Sequence, residues 1–550
     1  MSLEFGLRWA ALAGLLAMGA VPAQAQGAAT ALTDATVVVT DTGAVGGTIG
    51  NGLREFKGIP YALAPTGDLR WAPPQPAKAW DGVLDATRYG SACPQVQRYG
   101  IPEKSENEDC LYLNVTAPAP GGQPAAGKRP VIVWIHGGAF VGGSSGLYDL
   151  GQIANSGDVV VVSMNYRLGV FGFMPHAAFD ADTNGGYGLE DQRAALRWVQ
   201  RNIEKFGGDP TNVTIAGESA GAAGVCMHVL APEQTTGLFH KAIIQSGGCA
   251  HTLRSVADNA ERTGKRVGEL VGCTGDKALE CLRGKPVKDL LDAGVTAAGS
   301  DLMAYAPSYG SKTLPLQGDE ALATGKFVKV PMINGGNRDE LRLYVAYNIA
   351  AGQFTTHDNF KDRVESTYGA KAADVMATYP LRTDLSAASL LGTIWTDFTP
   401  DNGLNVCVYL RATQLASKQQ VTVYHYEFAD RDAPDVVANP GIRMGAVHSA
   451  ELPYQFPGFD NTMTRGLAPL KEPQKALAKT MMAYWTSFAR TGTPTAANAP
   501  AWKPFATEKD VLRLEPGNIR YISMDEEHKC DFWRRTYPDR LDRTYAASRS

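Results

Sequence analysis

The strongest constraint on the fold of this chain is a set of short apolar, mostly β-branched runs with no polar alternation, at residues 131–135, 159–162 and 213–215, with a shorter run at 242–244. A strand that is apolar at every position has to be covered on both faces, as parallel strands are between two layers of helices. Between the second and third runs, Ala195, Val199, Ile203 and Phe206 recur at helical spacing within residues 190–206, set against Arg193, Arg197, Arg201 and Lys205. That pattern predicts an amphipathic crossover helix. Further strands are expected at residues 328–333 and 421–428, so the βαβ rhythm predicts an α/β fold with an open, mostly parallel sheet. The Ala, Pro and Gly-rich segment 116–130 reads as a surface loop, because the same rhythm continues beyond it. Residues 347–380 turn helical and aromatic, as a cap over a site would.

Composition narrows the classes. With 550 residues, 44% hydrophobic and 20% charged, the chain buries a large core, and disorder or coiled coil is excluded. Lys plus Arg is 52 against 56 for Asp plus Glu, a net charge of −4, which supplies no cationic field for nucleic acid. Residues 9–21 are apolar or small, too few for the roughly 20 that span a bilayer, and Ala23-Gln24-Ala25 supplies a small-x-small cleavage site. The expectation is a signal peptide over residues 1–25, a secreted or periplasmic mature chain of one domain over 26–550, and no membrane span. Eight cysteines suit such an oxidising compartment, and none stands in a C-x-x-C pair. Cys93 with Cys110, and Cys273 with Cys281, are close enough to clip short loops. Spacing does not pair Cys226, Cys249, Cys407 or Cys530.

The sharpest chemical signal is Gly217-Glu218-Ser219-Ala220-Gly221, placed after an expected strand and before an alanine-rich helix. In that context G-x-S-x-G is a nucleophile elbow, where glycines two positions either side of the serine relieve crowding between strand and helix. Upstream, His136-Gly137-Gly138-Ala139-Phe140 follows the 131–135 strand. The N–H groups of Gly138, Ala139 and Ala220 are candidates for a three-donor oxyanion hole, in which one donor is worth about 3 to 4 kcal/mol. Serine needs a base. Of nine histidines, His448 stands in a loop beyond the last expected strand, as the order serine, acid, histidine requires. His136 is better placed to orient its own loop, and His528 has no supporting pattern. The acid is expected at the end of the 328–333 strand, where Asp339 and Glu340 are both available. An unperturbed histidine titrates near about 6.5, so activity is expected to rise with pH through about 6 to 7.

Together with Glu108-Asp109-Cys110-Leu111-Tyr112-Leu113-Asn114 and Phe206-Gly207-Gly208-Asp209-Pro210, these motifs resemble the type B carboxylesterase and cholinesterase-like family. The resemblance runs from Phe56 to Cys530-Asp531-Phe532-Trp533, nearly the whole mature chain. It implies an α/β-hydrolase fold with helical cap insertions, and it selects Glu340 as the triad acid. It also makes Ser246 a buried serine that supports the acid, and pairs Cys93 with Cys110, Cys273 with Cys281 and Cys407 with Cys530. Two departures stand out. Leu341 and Ser449 replace glycines that commonly follow the acid and the histidine, and the loop between Cys93 and Cys110 has no tryptophan for cation-π binding of choline.

The expected activity is therefore that of a serine carboxylic-ester hydrolase. Ser219 attacks, His448 is general base, Glu340 orients it, and water resolves an acyl-enzyme without cofactor or metal. The expected substrates are small neutral or carboxylate-bearing esters with sizeable alcohol groups, with Arg338, Arg342 and Arg443 as candidates for the rim. An amide or carbamate hydrolase with the same triad, and a binding module on the esterase fold, are the alternatives. Asp180-Ala181-Asp182-Thr183-Asn184-Gly185 with Asp191 imitates a calcium loop but lacks a preceding helix. The sequons at Asn114 and Asn212 fall on expected strands.

Overall fold

Each of the unbroken apolar runs becomes a strand of one sheet. A computed structural model describes residues 36–98, 101–119, 127–400, 402–437, 440–459 and 468–545, and the expected signal peptide lies outside them. The sheet has eleven strands: β1 (Thr48–Gly50), β2 (Leu53–Pro60), β3 (Tyr112–Pro118), β4 (Arg129–Ile135), β5 (Val160–Met164), β6 (Gly208–Glu218), β7 (Lys241–Gln245), β8 (Met332–Asn337), β9 (Val423–Phe428), β10 (Val511–Leu514) and β11 (Arg520–Ile522). Their spatial order is β11-β10-β9-β8-β7-β6-β4-β5-β3-β2-β1. From β5 across to β10 every pairing is parallel, and antiparallel strands close both edges. A separate three-stranded sheet joins Val37–Val39, Ala44–Gly46 and Val83–Asp85.

The two-residue period divides each central strand between two cores. Val131, Val133 and Ile135 of β4 enter one, while Ile132 and Trp134 enter the other. Helices α1 (Tyr187–Asn202) and α2 (Ala220–Val229) cover the first face, through Trp198, Val199 and Val225. Helix α3 (Arg342–Ala350) follows β8, α4 (Val406–Lys418) precedes β9, and α5 (Glu472–Thr491) covers the second face with Leu477, Met481 and Trp485. Helix α6 (Cys530–Thr536) lies near the C-terminus. The result is the α/β-hydrolase architecture, a mostly parallel sheet between helical layers.

The crossover helix begins earlier than its periodicity predicts and gives way to a 3₁₀ turn over Ile203–Phe206. Arg193, assigned to its polar face, is buried: it bonds Glu190 at 2.6 Å and the Thr313 carbonyl at 2.7 Å. Side chains of the calcium-like segment are also engaged within the fold. Arg167 grips Asp191 at 2.7 and 2.8 Å, and Asn184 bonds the backbone of His176. Asn114 of the first sequon is buried against Ser145 and Ser163.

Four disulfides are present: Cys93–Cys110, Cys226–Cys249, Cys273–Cys281 and Cys407–Cys530. The pair that both spacing and the family resemblance left open, Cys226–Cys249, ties α2 to the loop after β7. Four disulfides are consistent with secretion, and among the described residues no helix is long and apolar enough to cross a membrane.

Strands β4 and β6 are neighbours, yet the chain leaves β4 for β5 on the other side before returning to β6. Such a reversal opens a crevice beyond the C-terminal strand ends. The Gly-Gly-Ala segment after β4 and Ser219 after β6 both project there.

Candidate active site

Ser219 joins β6 to α2 with φ 57° and ψ −124°, a conformation costly for a side-chain-bearing residue. The flanking glycines make room for it. A Cβ on Gly217 would lie 2.6 Å from the Gly221 carbonyl carbon, and one on Gly221 only 2.0 Å from the Ile135 oxygen. The Ser219 N–H donates to the Gln245 carbonyl at 2.9 Å, which anchors the turn to β7.

His448 arrives from the loop after β9. Its Nε2 lies 2.7 Å from Ser219 Oγ and its Nδ1 2.7 Å from Glu340 Oε2. All three residues are buried, with Ser219 9% and Glu340 0% exposed. The two adjacent acids have different partners. Asp339 is held by Arg431 at 2.7 and 3.0 Å and by the Ala446 N–H at 3.1 Å, whereas Glu340 faces the imidazole.

Glu340 is supported by different groups from the one expected. The Asn337 N–H donates to its Oε1 at 2.8 Å, and the Tyr409 hydroxyl lies at 3.4 Å. Ser246 is buried beside β8, its N–H bonded to the Gly335 carbonyl, but its hydroxyl makes no hydrogen bond to a described residue. Asn337 stands three positions before Glu340. Its role rests on a backbone N–H, which side-chain identity does not announce.

The Gly-Gly-Ala segment turns sharply back on itself. Gly138 has φ 118°, and a Cβ there would meet the Gly142 oxygen at 2.1 Å, while Ala139 and Phe140 take φ 54° and 60°. His136 braces the turn: its ring stacks on Tyr166, and its Nδ1–H donates to the Gly137 carbonyl at 2.9 Å. Burial lowers its pKa to about 4, so it stays neutral. Gly138, Ala139 and Ser219 line one cavity, and the Ala220 N–H opens α2 beside them.

Two further carboxylates surround the histidine. Glu218 Oε1 lies 3.3 Å from His448 Nε2 and accepts from the Ser449 hydroxyl at 2.9 Å. Glu451 accepts from Asn337 Nδ2 at 2.5 Å. Burial pulls the His448 pKa down, but Glu218 and Glu340 outweigh it and raise it to about 9. Burial pushes Glu218 up to about 8, against the pull of His448. Ser449, at φ 68°, holds a left-handed conformation that would suit glycine better. Glu218 stood inside the serine motif and Glu451 three positions past His448, but only folding brings Glu218 against the imidazole and Glu451 near enough to raise its pKa.

Two cavities meet at Ser219 and share Ala139, Leu302 and Tyr344. One, about 660 Å³ including its open mouth, runs along Ala220, Ala223 and Met227 of α2 toward Leu253 and His251. The other, about 610 Å³, is lined by Tyr148, Tyr347, Phe459, Glu218 and His448. Of the segment 347–380 expected as a cap, only Tyr347 lines either cavity, while Phe360, Val364, Tyr368 and Tyr379 pack into the core. The three arginines expected at the rim line neither cavity. Arg338 pairs with Glu527 at 3.3 Å, Arg342 with Asp339 at 3.2 Å, and Arg443 with Asp432 at 2.9 Å. Each has an acidic neighbour that a list of basic residues near Glu340 and His448 leaves out.

A serine on a strained strand-to-helix turn at the switch of a parallel sheet, hydrogen-bonded to histidine and then to a carboxylate, defines an α/β-hydrolase. Over residues 34–533 the sequence matches the carboxylesterase family. The chain is 34% identical to the para-nitrobenzyl esterase of Bacillus subtilis, over 87% of this chain and 95% of that protein. It is 33% identical to the acetylcholinesterase of Electrophorus electricus, over 89% and 85% respectively. Among solved structures, the Geobacillus stearothermophilus carboxylesterase Est55 superposes with a TM-score of 0.77 at 33% identity, covering 90% of this chain and 99% of that one. This chain therefore belongs to the carboxylesterase family and is a carboxylic-ester hydrolase.

Proposed function

We propose that Ser219, His448 and Glu340 hydrolyse small, uncharged carboxylic esters through an acyl-enzyme. The observation that carries this reading is the unbroken chain of two 2.7 Å hydrogen bonds from Glu340 through His448 to Ser219, which ends where two cavities meet. Neutral His448 takes the Ser219 proton as Oγ attacks the carbonyl, and Glu340 holds the ring and offsets the imidazolium charge. The N–H groups of Gly138, Ala139 and Ala220 receive the developing oxyanion. His448 then protonates the departing alkoxide, so the alcohol part occupies the cavity that His448 lines. The acyl part extends along α2 into the other. Water, activated by the same imidazole, releases the acid.

With the arginines held in ion pairs, no Lys or Arg among the described residues lines either cavity to favour an anionic ester. The two-sided site supports esters with a sizeable group on either side of the carbonyl. Treatment with a serine-directed organophosphonate is expected to add one adduct mass on Ser219 and abolish ester hydrolysis. An unlabelled Ser219 in folded protein, or full activity in Ser219→Ala, overturns the reading. The same proposal places residues 26–550 in an oxidising compartment as one hydrolase domain after removal of residues 1–25, which N-terminal sequencing of exported protein tests.

A further inference from the structure

We propose that the cavity along α2 recognises an uncharged hydrogen-bonding group, a hydroxyl, ketone or amide, carried on the acyl chain of the ester, and that His251 reads it. This rests on the assignment of that cavity to the acyl part.

The walls there are largely apolar, built from residues such as Ala220, Ala223, Met227, Leu253, Leu302 and Met303. His251 interrupts them. It is only 9% exposed and lines the cavity, yet neither ring nitrogen bonds to a described residue and neither is fully sealed from open space. Every other buried histidine has a ring partner: His136 the Gly137 carbonyl, His176 the Ala178 N–H, His228 Gln192, His425 Thr413, and His448 and His528 their carboxylates. Each of the remaining polar side chains of the wall has a partner for at least one polar atom. Ser219 bonds His448, Asn402 Oδ1 accepts from the Leu404 N–H at 2.8 Å, and Tyr344 has its own contacts. A buried polar group without a partner costs free energy unless something that enters the site completes it.

The position is also built. The His251 N–H donates to the Gly248 carbonyl at 3.0 Å, which closes a turn. Gly248 and Gly403 approach so closely that a Cβ on Gly248 would lie 2.5 Å from the Gly403 oxygen, and a Cβ on Gly403 would lie 2.9 Å from the His251 ring. Two residues before His251, Cys249 is bonded to Cys226 on α2, the helix that starts at Ser219. The imidazole is thus fixed relative to the nucleophile by a covalent link and a tight glycine contact. Burial, reinforced by Arg540 and Arg254, lowers its pKa to about 4, so near pH 7 it offers one donor and one acceptor. A hydroxyl or amide matches both. An ionised acyl group would lose its hydration against apolar walls with no opposite charge on His251 to compensate.

The test compares 4-nitrophenyl esters whose acyl chains, of graded length, end in methyl or in hydroxymethyl. kcat/KM is measured for wild type, His251→Leu, His251→Gln and Gly403→Ala. The readout is the hydroxyl-to-methyl ratio within each variant, which does not depend on the fraction of folded enzyme. At the chain length that reaches His251, wild type is expected to favour the hydroxyl ester by about 10-fold, the worth of one neutral hydrogen bond in a closed site. His251→Leu should remove that preference, Gly403→Ala should weaken it by displacing the ring, and Gln should keep part of it. A wild-type enzyme indifferent to the hydroxyl at every length, or a preference unchanged in His251→Leu, overturns the inference. Failure of the underlying reading looks different: if this cavity holds the alcohol part, the hydroxyl preference and its loss in His251→Leu appear only in esters whose alcohol chain carries the hydroxyl, and if Ser219 is not the nucleophile, Ser219→Ala still turns over these esters.

Discussion

At the scale of single residues, the triad makes a prediction about coupling. If Ser219 and His448 act as one unit, each alanine substitution should lower kcat by about a millionfold, and the double substitution should be hardly worse than either. Multiplying losses, measured by steady-state kinetics on folded protein, would refute it. Glu340→Gln should cost about a thousandfold or more through loss of imidazole orientation. Asp339→Asn should act mildly on kcat, because Asp339 faces Arg431 and not the histidine. The second residue-scale prediction concerns pH. A lone histidine predicts a rise through about pH 6 to 7, but Glu218 stands 3.3 Å from Nε2 and stabilises the imidazolium. The base must be neutral to accept the serine proton, so a raised pKa delays activity. The rise in kcat/KM is expected on the alkaline side of histidine's ordinary value, because the carboxylates around His448 raise its pKa. Glu218→Gln should move that limb to lower pH, and Ser449→Gly, which frees Glu218 from its hydroxyl donor, should alter its position while relieving backbone strain. A profile identical in wild type and Glu218→Gln would show that Glu218 has no electrostatic part in it.

At the scale of elements, the C-terminal helices are fastened to the sheet through a buried histidine whose sequence context gives no sign of it. His528 lies between Asp397 at 2.6 Å and Glu427 of β9 at 2.5 Å, and Arg513 of β10 closes the cluster at 2.6 Å from Glu427. Tyr379 and Trp533 of α6 complete it. Burial pulls the His528 pKa down, but Asp397 and Glu427 prevail and raise it to about 10. A raised folded pKa gives stability that is fully present below the ordinary value of about 6.5 and lost as pH rises through about 10. His528→Leu leaves two carboxylates facing each other and should destabilise by about 3 to 5 kcal/mol, the range for breaking a buried ion pair. Thermal unfolding of the variant near pH 7, compared with wild type, checks this. An unchanged melting temperature would mean that the cluster relaxes without cost.

At the scale of the whole molecule, two of the four disulfides close short loops and two link parts of the chain that strands of the sheet separate in sequence. Cys407–Cys530 ties α4 to α6 across 123 residues, and Cys226–Cys249 ties the nucleophile helix to the next strand's loop. By restriction of the unfolded chain, the long closure is worth about 4 to 5 kcal/mol and the shorter ones about 2 to 4. Mass spectrometry of protein prepared without reductant is expected to find all four pairs, and reduction should lower the melting temperature. Free thiols in exported material, or an unchanged melting temperature on reduction, would contradict this.

What could be read from the chain alone were features encoded by neighbours in sequence. The doubly apolar runs specify buried parallel strands because no other environment covers both faces, and Gly217, Gly221 and Gly138 specify turns that a Cβ would block. Serine between those glycines, with an acid and then a histidine at later strand ends, already points to the chemistry. Tertiary structure decided everything that depends on which distant groups share a buried volume. It set Glu340 against His448 and Asp339 against Arg431 and Arg342, and it drew Arg338 and Arg443 into ion pairs with Glu527 and Asp432. It also placed Glu218 at the imidazole, left Ser246 without a hydrogen-bonding role toward the acid, and put His251 unpartnered in an apolar wall. These outcomes turn on electrostatics and desolvation over a few ångströms, and such distances are fixed only when the sheet brings Glu218 at the end of β6, Glu340 just after β8 and the loop after β9 that carries His448 to one edge.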